Sequence, residues 1–143
     1  MGRILAIDYG QKRVGIAVTD ELQITSNGIA TVRAIDIWSF LENYMKEKDV
    51  ETIVVGEPKD MNNIASDASR FIEPFVRKLI KKYPEIKIKR FDEIFTSKMA
   101  FDAMIEGGLN KKKRQDKALI DKVSATILLQ SYLIAINAKR NNL

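Results

Sequence analysis

The chain opens with two apolar segments separated by a short polar turn. Ile4-Leu5-Ala6-Ile7 is an uninterrupted apolar run, and a second mostly apolar segment extends from Val14 to Thr19. Runs of this kind are typical of strands buried on both faces of a sheet. Between them, Asp8-Tyr9-Gly10 places a carboxylate beside a glycine that permits a tight turn. The pattern predicts an antiparallel hairpin with Asp8 at the end of its first strand.

Three later segments also have the pattern of strands. They are Gly28 to Val32, the β-branched run Thr52 to Gly56, and Ile86 to Phe91, in which apolar and basic residues alternate. Acidic residues follow the last two: Glu57 comes after one, and Asp92-Glu93 after the other. The sequence therefore predicts carboxylates at the ends of three strands.

Apolar residues recur with helical spacing in three other segments. The first helix is predicted from Asp36, its N-cap, with an apolar stripe of Ile37, Trp38, Leu41, Tyr44 and Met45. The second is predicted from Ala68 to Tyr83, with Pro74 bending it and with Phe71, Ile72, Phe75, Val76, Leu79 and Ile80 on one buried face. The third is predicted from Ala118 to Ala138, with Asp121 in its first turn and Ile120, Val123, Ile127, Leu128, Ile134 and Ala135 as core residues.

The order of these elements predicts an α/β fold. Strands that alternate with helices require crossover connections and hence a partly parallel sheet, to which the opening hairpin adds antiparallel strands. We expect one domain, residues 1–143, with a mixed five-stranded sheet and helices on both faces. In open sheets of this class, ligands bind outside the carboxyl ends of the strands. A short helix near residues 96–107 completes the predicted order.

The composition narrows the chemistry. The 143 residues include neither Cys nor His, so thiolate nucleophiles, Cys-based metal sites and a histidine base are excluded. Carboxylates remain, and they suit hard cations such as Mg²⁺ or Mn²⁺. The net charge of +5 favours a polyanionic partner, with nucleic acid first. No apolar run approaches the ~18 residues of a membrane span, and no signal-peptide pattern is present, so we expect a cytoplasmic protein without a membrane partner.

Acidic residues far apart in the sequence would form one site if the last helix began beside the first strand. These are Asp8, the pair Asp92 and Glu93, and Asp121. Clustered carboxylates repel one another unless cations lie between them, and two divalent ions about 4 Å apart can activate water and stabilise the leaving oxygen of a phosphodiester. The alternative roles are ordinary ones: Asp8 would accept turn amides, Asp121 would stabilise a helix N-terminus, and Glu93 would be a solvated acid.

Basic residues supply a second candidate surface. The loop Asn110 to Lys117 is too charged to pack, and each of its cations could neutralise a phosphate. The candidate contacts to nucleic acid are Lys12, Arg13, Lys98, Lys111, Lys112, Lys113, Arg114 and Lys117. The alternative is a solvated loop with no partner. Because no aromatic residue interrupts the loop, sequence-specific stacking on bases is not expected.

Several blocks together resemble the YqgF/RuvX family. They are Ile7 to Asp20, Val54 to Pro58, Phe91-Asp92-Glu93 with Thr96-Ser97, and Lys113-Arg114 leading to Asp121 to Leu133. The resemblance covers nearly the whole chain. It implies a ribonuclease H-like fold and a cytoplasmic nuclease that trims the 5′ end of precursor 16S ribosomal RNA; the same family has also been called a Holliday-junction resolvase. It also implies that Asp8, Glu93 and Asp121 are the catalytic and metal-binding acids.

Two positions depart from the family pattern. Ile94 follows Glu93 where the family commonly has Arg, so Lys98 or Arg114 would have to supply that positive charge. Glu57 precedes Pro58 where Leu is common. Related resolvases place a catalytic acid at the end of the corresponding strand, so the resemblance suggests Glu57 as a further acid; Asp92 is either a ligand or a residue that supports one.

Four functions fit the sequence in different degrees. The first is a metal-dependent nuclease on structured RNA, active as a monomer or weak homodimer. A resolvase of branched DNA would require a stable dimer, because two opposed strands must be cut. A non-catalytic assembly factor would keep the affinity for nucleic acid and tolerate Asp8→Asn. Nucleotide binding of the actin and sugar-kinase type is least favoured, because such proteins need two large lobes.

Overall fold

The structure is a computed structural model, and it describes residues 2–59, 69–94, 102, 105–107 and 116–141. The strands in this part of the chain are β1 (Arg3–Tyr9), β2 (Arg13–Thr19), β3 (Ser26–Arg33), β4 (Val50–Lys59) and β5 (Lys87–Ile94). The helices are α1 (Ile37–Glu47), α2 (Ser69–Lys82) and α3 (Lys117–Asn141), and a 3-10 turn, Ala34–Asp36, precedes α1. The short helix expected near residues 96–107 falls largely outside the described residues.

The five strands form one mixed sheet in the order β3-β2-β1-β4-β5. The pairs β1–β2 and β2–β3 are antiparallel, whereas β1–β4 and β4–β5 are parallel. This arrangement confirms the predicted hairpin and the predicted mixed sheet. It also places β1 at the centre, between the antiparallel and the parallel halves.

The two faces of the sheet bury separate clusters of apolar side chains. Leu5 and Ile7 of β1 belong to the cluster under α1 and α2. Ile4 and Ala6, which alternate with them, belong to the cluster under α3. Every side chain from Ile4 to Ile7 is therefore buried, as an interior strand with helices on both faces requires.

Helix α2 buries a narrower stripe than the sequence predicts. Ile72, Phe75, Val76 and Leu79 are buried, but Phe71 is 42% and Ile80 51% exposed. At 100° per residue, Phe71 and Ile80 flank the buried stripe on opposite sides. The prediction that both belong to the core is wrong, because only the centre of the apolar face of α2 is buried.

Helix α3 turns a different face to the core than predicted. Its buried apolar residues are Ala125, Leu128, Leu129 and Leu133, whereas Ile134 is 70% exposed and Ala135 is exposed as well. Of the other predicted core residues, only Leu128 is buried; Ile120, Val123 and Ile127 are partly buried. Apolar residues surround this helix, so their spacing alone does not identify the buried face.

The ends of two predicted strands differ, whereas α1 begins after its predicted N-cap, Asp36. Strands β4 and β5 continue past Gly56 and Phe91, so Glu57 and Asp92 lie within strands. Beyond Val55, β4 pairs with β5 and no longer with β1. Proline has no backbone N–H, and Pro58 is tolerated there because one side of the strand needs no hydrogen-bond donor. Asp36 is at the N-cap of α1 but caps no amide; its carboxylate instead accepts a hydrogen bond from Arg33 at 3.0 Å.

Helix α3 is long and apolar enough, by length and composition, to cross a membrane. The core helix of a water-soluble domain meets the same criterion. Here α3 contacts β1, β2 and β3 extensively, and its buried leucines complete the core on that face of the sheet. Burial against the sheet therefore accounts for one face of the helix, and 28% of its apolar 18-residue window is buried.

Candidate active site

Asp8 lies near the end of the central strand on the α3 face of the sheet. It is two residues beyond Ala6, whose side chain packs under α3, and successive residues of a strand alternate between faces. In the register of β1 and β2, Asp8 is opposite Gly15. Asp8 is partly buried, so the stiff strand holds its carboxylate at the edge of the core rather than in open solvent.

Gly15 brings the backbone of α3 against the sheet at this level. A Cβ built on Gly15 would lie 2.1 Å from the carbonyl oxygen of Asp121, closer than any real side-chain atom could approach. Only glycine therefore permits this contact. Because Gly15 pairs with Asp8 across the two strands, the contact sets Asp121 beside Asp8, as the predicted site requires.

An ion pair fixes the side chain of Asp121. The Nε of Arg13 donates a hydrogen bond to Oδ2 of Asp121 at 2.8 Å, and the two side chains are 38% and 23% exposed. The sequence predicts Arg13 as a contact to nucleic acid, but in the structure its guanidinium meets a candidate catalytic carboxylate. Sequence reasoning missed this partnership, which spans 108 positions.

Polar contacts at its N-terminal end anchor α3 over β3. The Oδ1 of Asp116 accepts hydrogen bonds from the amides of Ala118 at 3.0 Å and Leu119 at 3.4 Å. The hydroxyl of Thr31 donates to the carbonyl of Ala118 at 2.6 Å. Asp121 consequently lies in the second turn of α3, not in the first as predicted, so stabilisation of the helix N-terminus does not account for its position.

The acids of β4 and β5 lie at the same end of the sheet as Asp8. Glu57 is paired with Asp92, and Pro58 with Glu93, in the parallel register of β4 and β5. Strand β4 is also the parallel neighbour of β1, with Val55 opposite Ile7. The backbone positions of Glu57, Asp92 and Glu93 are described but their side chains are not.

The predicted contacts to nucleic acid are only partly within the described residues. Lys12 is exposed in the turn between β1 and β2, where its carbonyl accepts a hydrogen bond from the amide of Ala34 at 2.9 Å. Lys117 is the first residue of α3 rather than part of a loop. Lys98, Lys111, Lys112, Lys113 and Arg114 fall outside the described residues.

The chemistry of the donor set fits a hard divalent cation. Asp8 and Asp121 contribute carboxylate oxygens on one face of the sheet, and oxygen ligands of this kind are those that Mg²⁺ and Mn²⁺ prefer. Within the part of the chain that the structure describes, no three acidic side chains form a complete metal site. Asp8 and Asp121 are the two members of the predicted set whose side chains can be placed.

Comparisons with known proteins agree on the family and the fold. A family model described as "RuvX: Holliday junction resolvase" matches residues 2–135. A relative from Christiangramia forsetii, named "Putative pre-16S rRNA nuclease", is 53% identical over 133 residues, which are 93% of this chain and 98% of the relative.

Two solved structures share the architecture at low sequence identity. The fowlpox virus Holliday junction resolvase has a TM-score of 0.57 at 17% identity and covers 94% of this chain and 99% of its own. T. thermophilus RuvC, solved in complex with a Holliday junction substrate, has a TM-score of 0.55 at 14% identity, with 95% and 96% covered. This likeness confirms the ribonuclease H-like fold expected from the sequence.

Proposed function

The chain belongs to the RuvX family, and we propose that it is a metal-dependent nuclease that hydrolyses phosphodiester bonds in precursor 16S ribosomal RNA. One observation carries this function: the contact at Gly15 sets Asp121 beside Asp8. Two carboxylates on rigid elements, at the carboxyl end of a central strand, are suitable metal ligands for phosphodiester hydrolysis that needs neither His nor Cys.

Asp8, Asp121 and Glu93 would hold the cation, Mg²⁺ or Mn²⁺. When bound, such ions supply an activated water and stabilise the oxygen of the leaving group. The chain itself supplies the position of the ligands. Strand β1 fixes Asp8, and Arg13 bonds to one oxygen of Asp121, while no other residue in the described part of the chain bonds to its side chain.

The orientation of Asp121 depends on two independent contacts. The close approach of Gly15 sets the backbone of the residue, and the guanidinium of Arg13 sets the carboxylate. Partners that orient a metal ligand in this way are nearly as important to a site as the ligand itself. Arg13 therefore acts as a positioning residue in the proposed mechanism.

Two substrates remain to be distinguished. The similarity to relatives named as pre-16S rRNA nucleases favours RNA, whereas the fold is shared with resolvases that act on four-way DNA junctions. We favour the ribosomal precursor because those relatives are far more similar in sequence to this chain. We infer a single cytoplasmic domain, a monomer or weak homodimer, with Lys12 and the basic residues from Lys111 to Lys117 as further contacts to the RNA.

Glu57 is the proposed additional acid. It lies on β4, paired with Asp92, at the end of the sheet where Asp8 is found. If Glu57 takes part in binding the cation, Glu57→Gln should lower Mn²⁺ affinity measured by calorimetry. Unchanged affinity and unchanged cleavage would remove Glu57 from the site and leave the three-acid set intact.

The proposed activity can be tested with two substrates side by side. The wild-type protein should cleave precursor 16S RNA when Mg²⁺ or Mn²⁺ is present and should lose that activity in chelator. Preferred cutting of a four-way DNA junction would instead identify a resolvase. Tight binding of RNA without cleavage under any metal condition would contradict the nuclease and favour a non-catalytic assembly factor.

A further inference from the structure

A basic cavity lies at the opposite end of the α3 face from Asp8. Its volume is about 300 Å³, and its floor includes Ile4 and Thr52, the two residues that are paired at the start of β1 and β4. Both are buried. The walls come from β5 and from the last turns of α3. The cavity therefore lies between α3 and the sheet, at the end of β1 away from Asp8.

Four cations surround this cavity. Lys87 and Lys89 belong to β5, and Lys139 and Arg140 to the last turn of α3. None of the four forms a salt bridge with another described residue. Basic residues at a helix C-terminus are favourable on their own account, which explains the pair on α3 but not the pair on β5. Two elements, β5 and α3, thus bring positive charge to one cavity.

The one carboxylate in the lining is held by a neutral partner. Glu51 accepts a hydrogen bond from the side-chain amide of Gln23, and the same amide nitrogen donates to the carbonyl of Gly2 at 2.8 Å. Because both partners are acceptors, the NH₂ group of Gln23 must face them. The carboxylate of Glu51 is therefore held beside Gln23, and the four cations outnumber this one anion in the cavity lining.

Gln23 is built into the cavity at a conformational cost. Its backbone has a φ of 59°, a conformation that residues other than glycine seldom adopt. Its side chain is 94% buried (6% exposed), and its Oε1 is buried without a hydrogen-bond partner among the described residues. A buried acceptor of this kind needs a donor from outside the chain, such as water or a ribose hydroxyl, because a phosphate oxygen can only accept.

Tyr132 lines the cavity on the side that faces the end of β5. Burial raises the pKa of its phenol, Arg140 lowers it and Glu51 raises it, so the hydroxyl keeps its proton at neutral pH and remains a donor. Its ring meets Phe91 edge-on, with centroids 5.8 Å apart and an interplanar angle of 88°. Phe91 is two residues before Glu93 on β5.

We propose that this cavity binds a backbone phosphate of the nucleic-acid strand whose scissile bond lies at Asp8. The inference rests on the proposed nuclease function, which supplies the strand. Ile4 and Asp8 are four residues apart on β1, a separation of roughly 13 Å, so one nucleic-acid strand can reach both positions within a few nucleotides. Lysine and arginine around a polar cavity recognise the charge of the backbone and not the identity of the base.

Binding of RNA in chelator separates this site from catalysis. The probe is a fluorescent RNA hairpin with a single-stranded 5′ extension, titrated by anisotropy at several salt concentrations. The site variant is Lys89→Gln/Arg140→Gln. The control is Arg77→Gln/Lys81→Gln, which removes two exposed cations from α2 on the other face of the sheet. All four side chains are exposed, so melting temperatures should stay at the wild-type value.

The site variant should bind the RNA about tenfold more weakly near physiological salt, with a slope of log affinity against log salt smaller by about 1, because the contact to one phosphate is lost. The control should bind as the wild type does. Equal weakening in both variants would show a general charge effect, and unchanged binding in the site variant would show that the cavity is not used; either result overturns the proposal.

A second readout distinguishes a strand from a free nucleotide. The side-chain amide signals of Gln23 in NMR spectra should shift when the RNA hairpin is added and should not shift with adenosine monophosphate at the same concentration. Saturation by the mononucleotide, lost in the site variant, would overturn the strand as the occupant. Absence of cleavage by the wild type in Mg²⁺, with this binding intact, would contradict the nuclease function and leave the cavity assignment standing.

Discussion

At the scale of single residues, the ion pair between Arg13 and Asp121 joins a basic residue of β2 to a candidate catalytic acid of α3. Its atoms are 2.8 Å apart, with side chains 38% and 23% exposed. Pairs with this degree of exposure contribute at most about 1 kcal/mol to stability. The geometry of the pair is therefore more consequential than its energy, because it decides where the carboxylate of Asp121 points.

Replacing Arg13 should disturb the site without unfolding the protein. We expect Arg13→Ala to lower Mn²⁺ affinity and RNA cleavage by about 10- to 100-fold, as loss of a partner that orients a metal ligand does. The matched control is Arg33→Ala, since Arg33 makes the same Nε-to-carboxylate contact with Asp36 at 3.0 Å on the exposed surface. Calorimetry and a cleavage assay measure both effects. Tighter Mn²⁺ binding in Arg13→Ala would show that Arg13 competes with the cation instead.

The roles of single residues are only partly visible in the sequence. Asp8 could be proposed from its place after a buried strand, and Asp121 from its place near the start of the last helix and from the family resemblance. The partnership of Arg13 with Asp121 could not, because the two lie 108 positions apart and each has an ordinary local interpretation. Gly15 was passed over for a similar reason: its partner is a backbone carbonyl of a distant helix, which no sequence pattern reveals.

At the scale of elements, the position of α3 depends on two glycines in neighbouring strands. Gly15 faces the backbone of Asp121, and Gly28 faces Lys122 and Thr126. The two contacts differ in kind. A Cβ on Gly15 would lie 2.1 Å from a backbone carbonyl oxygen, whereas the nearest atoms to a Cβ on Gly28 would be side-chain atoms at 2.7 and 2.8 Å, with the carbonyl oxygen of Lys122 at 3.2 Å.

Substitution of the two glycines by alanine should therefore have unequal effects. Gly15→Ala should destabilise the fold by about 3 kcal/mol or more, at the upper end of the range for overpacking. It should also displace Asp121 from Asp8. Gly28→Ala should cost about 1 to 2 kcal/mol, because side-chain atoms must shift but no backbone atom lies closer than 3.2 Å. Denaturant unfolding of both variants measures the difference, and equal losses of stability would contradict the close approach of α3 at Gly15.

The buried face of α3 gives a second comparison within one helix. Leu129 is fully buried, whereas Ile134 is 70% exposed. Leu129→Ala should lower the free energy of unfolding by about 2 to 5 kcal/mol, and Ile134→Ala by less than about 0.5 kcal/mol. Thermal or denaturant unfolding tests this. A large loss from Ile134→Ala would show that a further contact covers that face of the helix.

Most elements could be predicted because their patterns are local. The sequence alone is enough to identify the apolar runs of β1 and β2 and the apolar stripe of α1. The face of α3 could not be predicted, since apolar residues surround the helix and the choice is made by the glycines beneath it. The ends of β4 and β5 were placed too early because Pro58 and the acids after Phe91 are typical of strand exits, whereas pairing between the two strands continues through Pro58 and Glu93.

At the scale of the whole molecule, the order of strands explains why the site lies where it does. Strand β1 is central, with β2 on one side and β4 on the other, so a carboxylate near its end is flanked by residues of both. Helix α3 crosses the same face and brings Asp121 to that end. The fold class followed from the sequence, because alternating strands and helices allow few arrangements, but the meeting of α3 with β1 required the structure.

The most direct measurement is the rate at which wild type and Asp8→Asn cleave precursor 16S RNA at saturating Mg²⁺. Asp36→Asn serves as the control, because it makes the same isosteric change at an exposed residue outside the proposed acidic set. The account predicts that Asp8→Asn loses at least about a hundredfold in rate, as removal of one group that stabilises the reacting charge does, while RNA affinity and melting temperature stay unchanged and Asp36→Asn cleaves as the wild type does. Cleavage by Asp8→Asn at the wild-type rate would contradict the catalytic site described above.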